Sequence, residues 1–180
     1  DIDIKGFFDF VHHGKLLQQM WHLGIQDKRV ISIVSKLLKA EIAGAGTPAK
    51  GTPQGGILSP LLSNIVLNEL DWWISSQWET FETKKNYDRK RIISGKIRLD
   101  KTSKYRTLKT TKLKEMFIVR YADDFKIFCR SHQDAFKVFE AVKKWLKERL
   151  GLEINPEKSK VINLRKNYSQ FLGFKIKVVA

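Results

Sequence analysis

The chain is nearly without cysteine. Cys129 is the only one in 180 residues, which excludes an internal disulfide or a cysteine-built metal cluster and fits a reducing compartment. It also lacks any apolar run of about eighteen residues, so no segment reads as a membrane-spanning helix. The opening DIDIKG carries neither a basic leader nor an apolar stretch, so no signal peptide is expected. The abrupt, strand-like start reads as an excised fragment. No internal repeat or flexible linker divides the chain, so residues 1–180 are expected to form one domain. Acidic residues are scarce as well: 19 Asp and Glu face 34 Lys and Arg, for a formal net charge of +15.

What is present is a foldable core and a concentrated charge. Hydrophobic residues make up 42% of the chain, which excludes a disordered polymer and suffices for a packed interior. A large positive excess repels itself in a compact state and fits a polyanion partner. Residues 84–114 hold thirteen Lys and Arg against two acids and read as a basic insertion. Arg89, Lys90, Arg91, Lys96, Arg98, Lys101, Lys104 and Arg106 are its candidate phosphate contacts, with Tyr87 and Tyr105 interleaved as rings able to stack on bases. A solvated basic loop is the alternative. A membrane surface would call for an amphipathic helix with a basic face, and this stretch has little helical periodicity, so no membrane partner is expected.

DIDIKGFF alternates as a half-buried strand does. A short helix follows, stopped by Gly24, and Asp27 caps a second one in which Val30, Ile31, Val34, Leu37 and Leu38 recur at helical spacing. AEIAGAGTPAKGTPQGG is too rich in Gly, Pro and Thr for a helix. Ser59-Pro60 predicts a capped helix start running to about Trp78. IISGKIRL predicts a hairpin about Ser94-Gly95, and MFIVRYADDFKIFC predicts another. Ser131 caps a helix from about Asp134 to Leu150, ended by Gly151, with Phe136, Phe139, Val142, Lys143 and Leu146 along it. LEINPEKSKVINL and YSQFLGFKIKVV read as closing strands. The fold class is α+β, an antiparallel sheet with helices packed on one face.

Two adjacent carboxylates, Asp123 and Asp124, sit at the tip of an otherwise apolar hairpin. Their repulsion at partial burial costs on the order of 1 kcal/mol. An Asp-rich turn is the plain explanation. The chemical one is a site for a hard cation, which takes carboxylates together with substrate phosphates. DIDIKGFF offers the third carboxylate, and alternation places Asp1, Asp3 and Lys5 on one face without choosing between the two aspartates.

Five motifs then stand in order: DIKGFFD at 3–9, GTPQGGILSPLLSNIVLNELD at 51–71, YADD at 121–124, INPEKSK at 154–160 and FLGFKI at 171–176. Together they resemble the reverse transcriptase–maturases encoded by bacterial group II introns. The resemblance implies a palm with part of the fingers, and an RNA-directed DNA polymerase. It implies two Mg²⁺ ions, with Mn²⁺ as a substitute, about 3.5–4 Å apart. Asp3, Asp123 and Asp124 would hold them, with the Ile4 carbonyl as a further ligand. Asp3 is chosen over Asp1 because the family's metal-binding aspartate lies five residues before an aromatic, here Phe8; Asp1 is then expected to be a solvated strand residue.

By the same resemblance, Phe8 is the steric gate that selects dNTPs, with Phe7 and Phe10 as core candidates. Gln54, Gly55 and Gly56 lie against the nucleotide, Lys158 (or its neighbour Lys160) meets the leaving pyrophosphate, and Tyr121 and Ala122 support the primer end. The expected partners are an RNA template or intron RNA, a DNA primer and dNTP, in an intron ribonucleoprotein of the bacterial cytoplasm. N-terminal fingers and the C-terminal thumb are expected to be missing, leaving the isolated chain weakly active or inactive and prone to self-association as a homodimer. The rivals are a retron or diversity-generating reverse transcriptase and a non-catalytic RNA-binding maturase. His12 and His13, adjacent and so on different helix faces, are expected to be structural, and the tryptophans of DWWISSQW to serve packing.

Overall fold

The computed structural model describes residues 1–41, 44, 46–52 and 56–179. Helices and antiparallel hairpins alternate along the chain: α1 (Phe7–Phe10), α2 (His13–His22), α3 (Lys28–Leu38), α4 (Ser59–Gln77), β1 (Arg89–Ile93), β2 (Lys96–Asp100), α5 (Thr102–Leu108), β3 (Met116–Tyr121), β4 (Asp124–Cys129), α6 (His132–Trp145), β5 (Ser169–Phe171) and β6 (Phe174–Ile176). Among these residues no helix is long and apolar enough to cross a membrane.

The β3–β4 hairpin is the centre. Its register pairs Met116 with Cys129, Ile118 with Ile127 and Arg120 with Phe125 on one face. Tyr121 with Asp124, Val119 with Lys126 and Phe117 with Phe128 lie on the other. The first face meets the helices: Phe125 is fully buried, together with Leu67, Leu70 and Ile74 of α4 and Val142 of α6. Full burial of each such side chain stabilises by roughly 1.5–3 kcal/mol. Trp73 of α4 stacks on Trp145 of α6, with ring centroids 5.2 Å apart, so the two helices form one layer. The N-terminal segment runs beside β4, bridging Ile2 to Phe125, and reaches Ile154 through Ile4 on its other side. This is the expected α+β arrangement, with helices on one face of an antiparallel sheet.

Local departures from the sequence reading have local causes. DIDIKGFF is not one strand: it stops at Gly6, whose φ of 52° turns the chain into α1. Phe7 is buried as expected, but Phe10 is exposed with the Lys50 ammonium over its ring. Asp27 caps α3 as expected, accepting from the amides of Arg29 and Val30. Of the α3 stripe only Val34 and Leu38 are fully buried, while Val30 and Leu37 are exposed. Leu58, not Ser59, is the N-cap of α4; Ser59 already lies in its first turn. In α6 the buried positions are Val138 and Val142, and Phe136 is exposed against His132. The last turn, Leu146–Leu150, widens to a π-turn before Gly151 at φ 68°. LEINPEKSKVINL forms no strand beyond the Ile154 bridge, because Asn155 folds it into a turn by accepting from the amides of Glu157 and Lys158. Helix α5, inside the basic stretch, was not foreseen.

The segment before α4 docks on α1. Thr52 donates its amide to Phe8 O at 2.6 Å, and Gly51 donates to Val11 O at 2.7 Å. His13, buried, meets the Gly51 carbonyl at 2.6 Å through Nε2. Gly51 has φ 98°, and a Cβ there would lie 2.9 Å from Phe8 O. Both facts demand glycine. Gly51→Ala is expected to destabilise the fold by roughly 1–3 kcal/mol, read as a lower midpoint in urea unfolding; an unchanged midpoint would show that the docking is not rigid.

Candidate active site

A single bridge from Ile2 to Phe125 of β4 assembles the acidic site. Ile2 donates its amide to Phe125 O at 3.2 Å. Continuing that antiparallel register sets Asp3 across from Asp124 and Asp1 across from Lys126, on the face away from the helices. The Lys126 ammonium does lie 2.7 Å from the Asp1 carboxylate, and Asp3 is among the charges that act on Asp124. Burial pushes the Asp124 carboxyl up from its ordinary value; Asp123 and Asp3 add to the rise and Lys126 opposes it. Asp123 occupies the turn itself, after Ala122 at φ 53°. A left-handed alanine costs roughly 1–2 kcal/mol, so the turn is held against a local preference.

The two N-terminal aspartates are used differently. Asp1 is not a solvated strand residue: besides Lys126 it accepts from the Ser169 hydroxyl at 3.0 and 2.9 Å. The Asp3 side chain is 42% exposed, with the Lys158 ammonium 4.0 Å away. Its backbone is fixed on both sides, the amide donating to Ser159 Oγ at 3.0 Å and the carbonyl accepting from Asn155 N at 2.8 Å. Lys5 N completes that pairing with Glu153 O, so the Ile4 carbonyl is not spent on it. Lys160 meets Asp1 instead, through its amide at 3.0 Å.

Phe8 is half-buried, its ring edge-on to Phe7 at 5.4 Å. Gln54 and Gly55 lie outside the described residues; Gly56 begins the approach to α4, accepting from Ser59 N at 3.0 Å. Tyr121 is 65% exposed beside the acidic turn. His12 serves as a helix cap, accepting from Lys15 N.

Four contributors escaped the sequence reading. Gly51 is one, through its φ. The others are Arg120, Asp71 and Asn64. Arg120 lies on the helix-facing side, donates Nε and Nη2 to Asp71 at 2.9 and 2.5 Å, and donates Nη1 to Asn64 Oδ1 at 2.9 Å and to Ala122 O at 2.8 Å. Asn64 and Asp71, seven residues apart, share one face of α4.

The basic stretch is a ribbon rather than a loop. Ser94 and Gly95, with φ 52° and 73°, make its turn. Arg89, Arg91, Arg98 and Lys96 share one face of the β1–β2 pair, while Lys90 joins Ile92, Ile97 and Leu99 on the other. Arg91 is partly neutralised by Asp100 at 2.6 Å. Lys101 and Lys104 are half-buried beside α5 and Arg106 is exposed. Tyr105 is not free to stack on bases: it lies 6.1 Å from Trp78 and 6.0 Å from Phe117, ring to ring.

Chemically, the site offers hard oxygen donors whose charge Lys158, 4.0 Å from Asp3, and Lys126 offset only in part. Among the described residues no three acidic, histidine or cysteine side chains close into a ready-made ion cage. The set fits a divalent cation in kind: Asp124 is destabilised by its acidic neighbours, which is the repulsion a bound cation removes. Because the Asp124 pKa is raised in the folded state, the native chain binds that proton more tightly than the unfolded chain does. Stability therefore falls as pH rises through the interval from the ordinary carboxylate value to the raised one. Asp124→Asn is expected to raise the thermal midpoint at neutral pH in the presence of chelator, with the gain shrinking below the carboxylate range; an equal or lower midpoint would sink this account.

A profile of the reverse transcriptase (RNA-dependent DNA polymerase) family matches residues 1–176. The chain is 32% identical to the group II intron-encoded protein LtrA of Lactococcus lactis subsp. cremoris, over 98% of its own length and 34% of that protein's. It is 30% identical to protein YkfC of Escherichia coli, over 97% of its length and 45% of YkfC's. It is 31% identical to a COX1/OXI3 intron 2 protein of Saccharomyces cerevisiae, over 98% and 23% respectively. The chain thus spans less than half the length of these relatives. With Asp3 set beside the Asp123–Asp124 turn and the profile running through every motif, the chain belongs to the reverse transcriptase family.

Proposed function

We propose that this chain is the palm, with part of the fingers, of a group II intron-encoded RNA-directed DNA polymerase that adds dNTPs to a primer 3′-hydroxyl on an RNA template. The observation that carries the reading is the approach of Asp3 to Asp123 and Asp124 on the open face of the hairpin. The intron-encoded relatives supply its context, and residues 84–114 are an insertion within the domain. In a bacterial cell the whole protein would work in the cytoplasm, within an intron ribonucleoprotein whose splicing it assists.

Asp3, Asp123 and Asp124, with the Ile4 carbonyl, would hold two Mg²⁺ ions, which when bound lower the pKa of the attacking hydroxyl and offset charge on the triphosphate. In the reaction the 3′-oxygen forms a bond to the α-phosphorus, the bond from that phosphorus to the bridging oxygen breaks, and pyrophosphate leaves. Lys158, 4.0 Å from Asp3, would give a proton to the leaving pyrophosphate or hold its charge. The Phe8 ring, behind the site, would stand where a ribose 2′-hydroxyl goes, selecting deoxynucleotides. Gln54, Gly55 and Gly56 would line the nucleotide and template base, and Tyr121 and Ala122 the primer end. The face bearing Arg89, Arg91, Lys96 and Arg98 would follow RNA phosphates, Lys90 lying on its reverse.

The test is single-nucleotide extension by the full-length parent protein with Mg²⁺ and dNTP on an RNA template. Wild type should extend. Asp123→Ala and Asp124→Ala should lose roughly 10³-fold or more in rate while still binding RNA. A wild type that binds intron RNA tightly and never extends would turn the reading into that of an RNA-binding maturase. Replacing Arg89, Arg91, Lys96 and Arg98 together by Ala should weaken RNA binding and lower the slope of log affinity against log salt by about 3. An unchanged slope would remove the ribbon from the interface.

A further inference from the structure

We infer that Arg120, Asp71 and Asn64 form a positioning clamp that sets the Asp123–Asp124 turn from the far side of the sheet and ties it to helix α4; the inference rests on the function proposed above. Arg120 touches none of the carboxylates of the site. Its side chain leaves β3 on the helix-facing side, where its neighbours Met116, Ile118, Phe125 and Ile127 are apolar, and it is only 11% exposed. An apolar residue there would fill the space at no cost in desolvation. The Asp71 side chain is 33% exposed, and a partly buried ion pair of this kind is weak evidence for stability and better evidence for geometry.

The geometry is specific. One edge of the guanidinium is spent on the Asp71 carboxylate, and the remaining nitrogen, Nη1, reaches both Asn64 and the Ala122 carbonyl. A planar fork of this kind holds three acceptors in fixed relation, which an ammonium cannot do. Ala122 is the left-handed residue of the turn, so the bond to its carbonyl bears on the peptide that aims Asp123. The other two acceptors belong to α4, whose first turn takes up the chain directly from Gly56. The position of the turn is therefore referred to helix α4 through one guanidinium. Small misplacement of reacting groups costs about 10²-fold in rate.

The experiment uses the full-length protein with Arg120→Lys, Asp71→Asn and the double variant, and Asn64→Ala as the mildest change. Three readouts are taken: amide hydrogen exchange at residues 122–124, Mn²⁺ affinity from the paramagnetic resonance of the free ion, and kcat with KM in single-nucleotide extension. Turn amides should exchange about tenfold faster in Arg120→Lys, with the distant Leu146–Leu150 turn unchanged. Mn²⁺ affinity should fall by about tenfold, and kcat by about 30- to 100-fold with KM for primer–template little changed. The double variant should be no worse than Arg120→Lys alone, as expected for residues acting as one unit.

Well-folded variants with wild-type exchange at the turn and wild-type Mn²⁺ affinity would overturn the clamp. So would losses that merely follow the fraction of protein unfolded. Should Arg120→Lys not fold, Asn64→Ala decides: it should speed turn exchange about threefold, and no change would overturn the inference. If wild type extends no primer, the polymerase reading falls by itself, while exchange and Mn²⁺ binding still judge the clamp.

Discussion

The arrangement depends on one short contact, the antiparallel bridge of Ile2 to Phe125 in β4, continued by that of Ile4 to Ile154. Ile2 and Ile4 put their side chains into the core with Phe125. The same alternation lifts Asp1 and Asp3 to the opposite face. Burial of the apolar half thus fixes the register of the acidic half. A slip of one residue would exchange Asp3 for Ile4 on the open face and place carboxylates against α4. The hydrophobic core that holds the sheet to its helices thus also sets which carboxylate faces which.

That economy leaves a conflict of charge. Asp1 has been settled by Lys126, over which Phe171 also stands, the ammonium 5.5 Å from its ring centroid. Asp3 has the Lys158 ammonium 4.0 Å away, and burial, with the neighbouring carboxylates adding to it, pushes Asp124 up. Two aspartates two residues apart on one strand therefore have different fates. One is bound into the structure by a cation and a hydroxyl. The other stays 42% exposed on the open face. If the acidic turn is the working site proposed, the strain and repulsion kept there and compensated by packing elsewhere are a stability–activity compromise at atomic scale.

How legible this was in the residues varied with the kind of signal. The Asp123–Asp124 hairpin, the Ser94-Gly95 turn and the Asp27 cap were readable because each is a local preference written in a few adjacent residues. The phase of the α3 and α6 stripes was not, since Phe136 and Leu37 carry the right chemistry and face solvent. Gly6 hid the break between strand and helix inside a motif that alternates on both sides of it. Arg120 was invisible for another reason. In a chain with 34 basic residues nothing local marks one arginine as buried, and its partners lie 49 and 56 residues away. Tyr105 misled in the opposite direction: surrounded by lysines in sequence, it is surrounded by Trp78 and Phe117 in space.

The same distinction governs the basic ribbon. Composition alone treats its charges as equivalent, but the β1–β2 register does not. Cross-strand partners share a face, so Arg91 and Arg98 stand together while Lys90 stands with Leu99. A phosphate backbone meeting this ribbon would find one charged side and one side carrying Ile92, Ile97 and Leu99, all exposed. Charge of the first kind attracts a polyanion at a distance and loses that pull in salt. Apolar surface of the second kind acts only on contact and is indifferent to salt. If the ribbon meets a nucleic acid as proposed, this separation would give the contact an orientation as well as an affinity, because all but Lys90 of the strands' basic residues stand on one side.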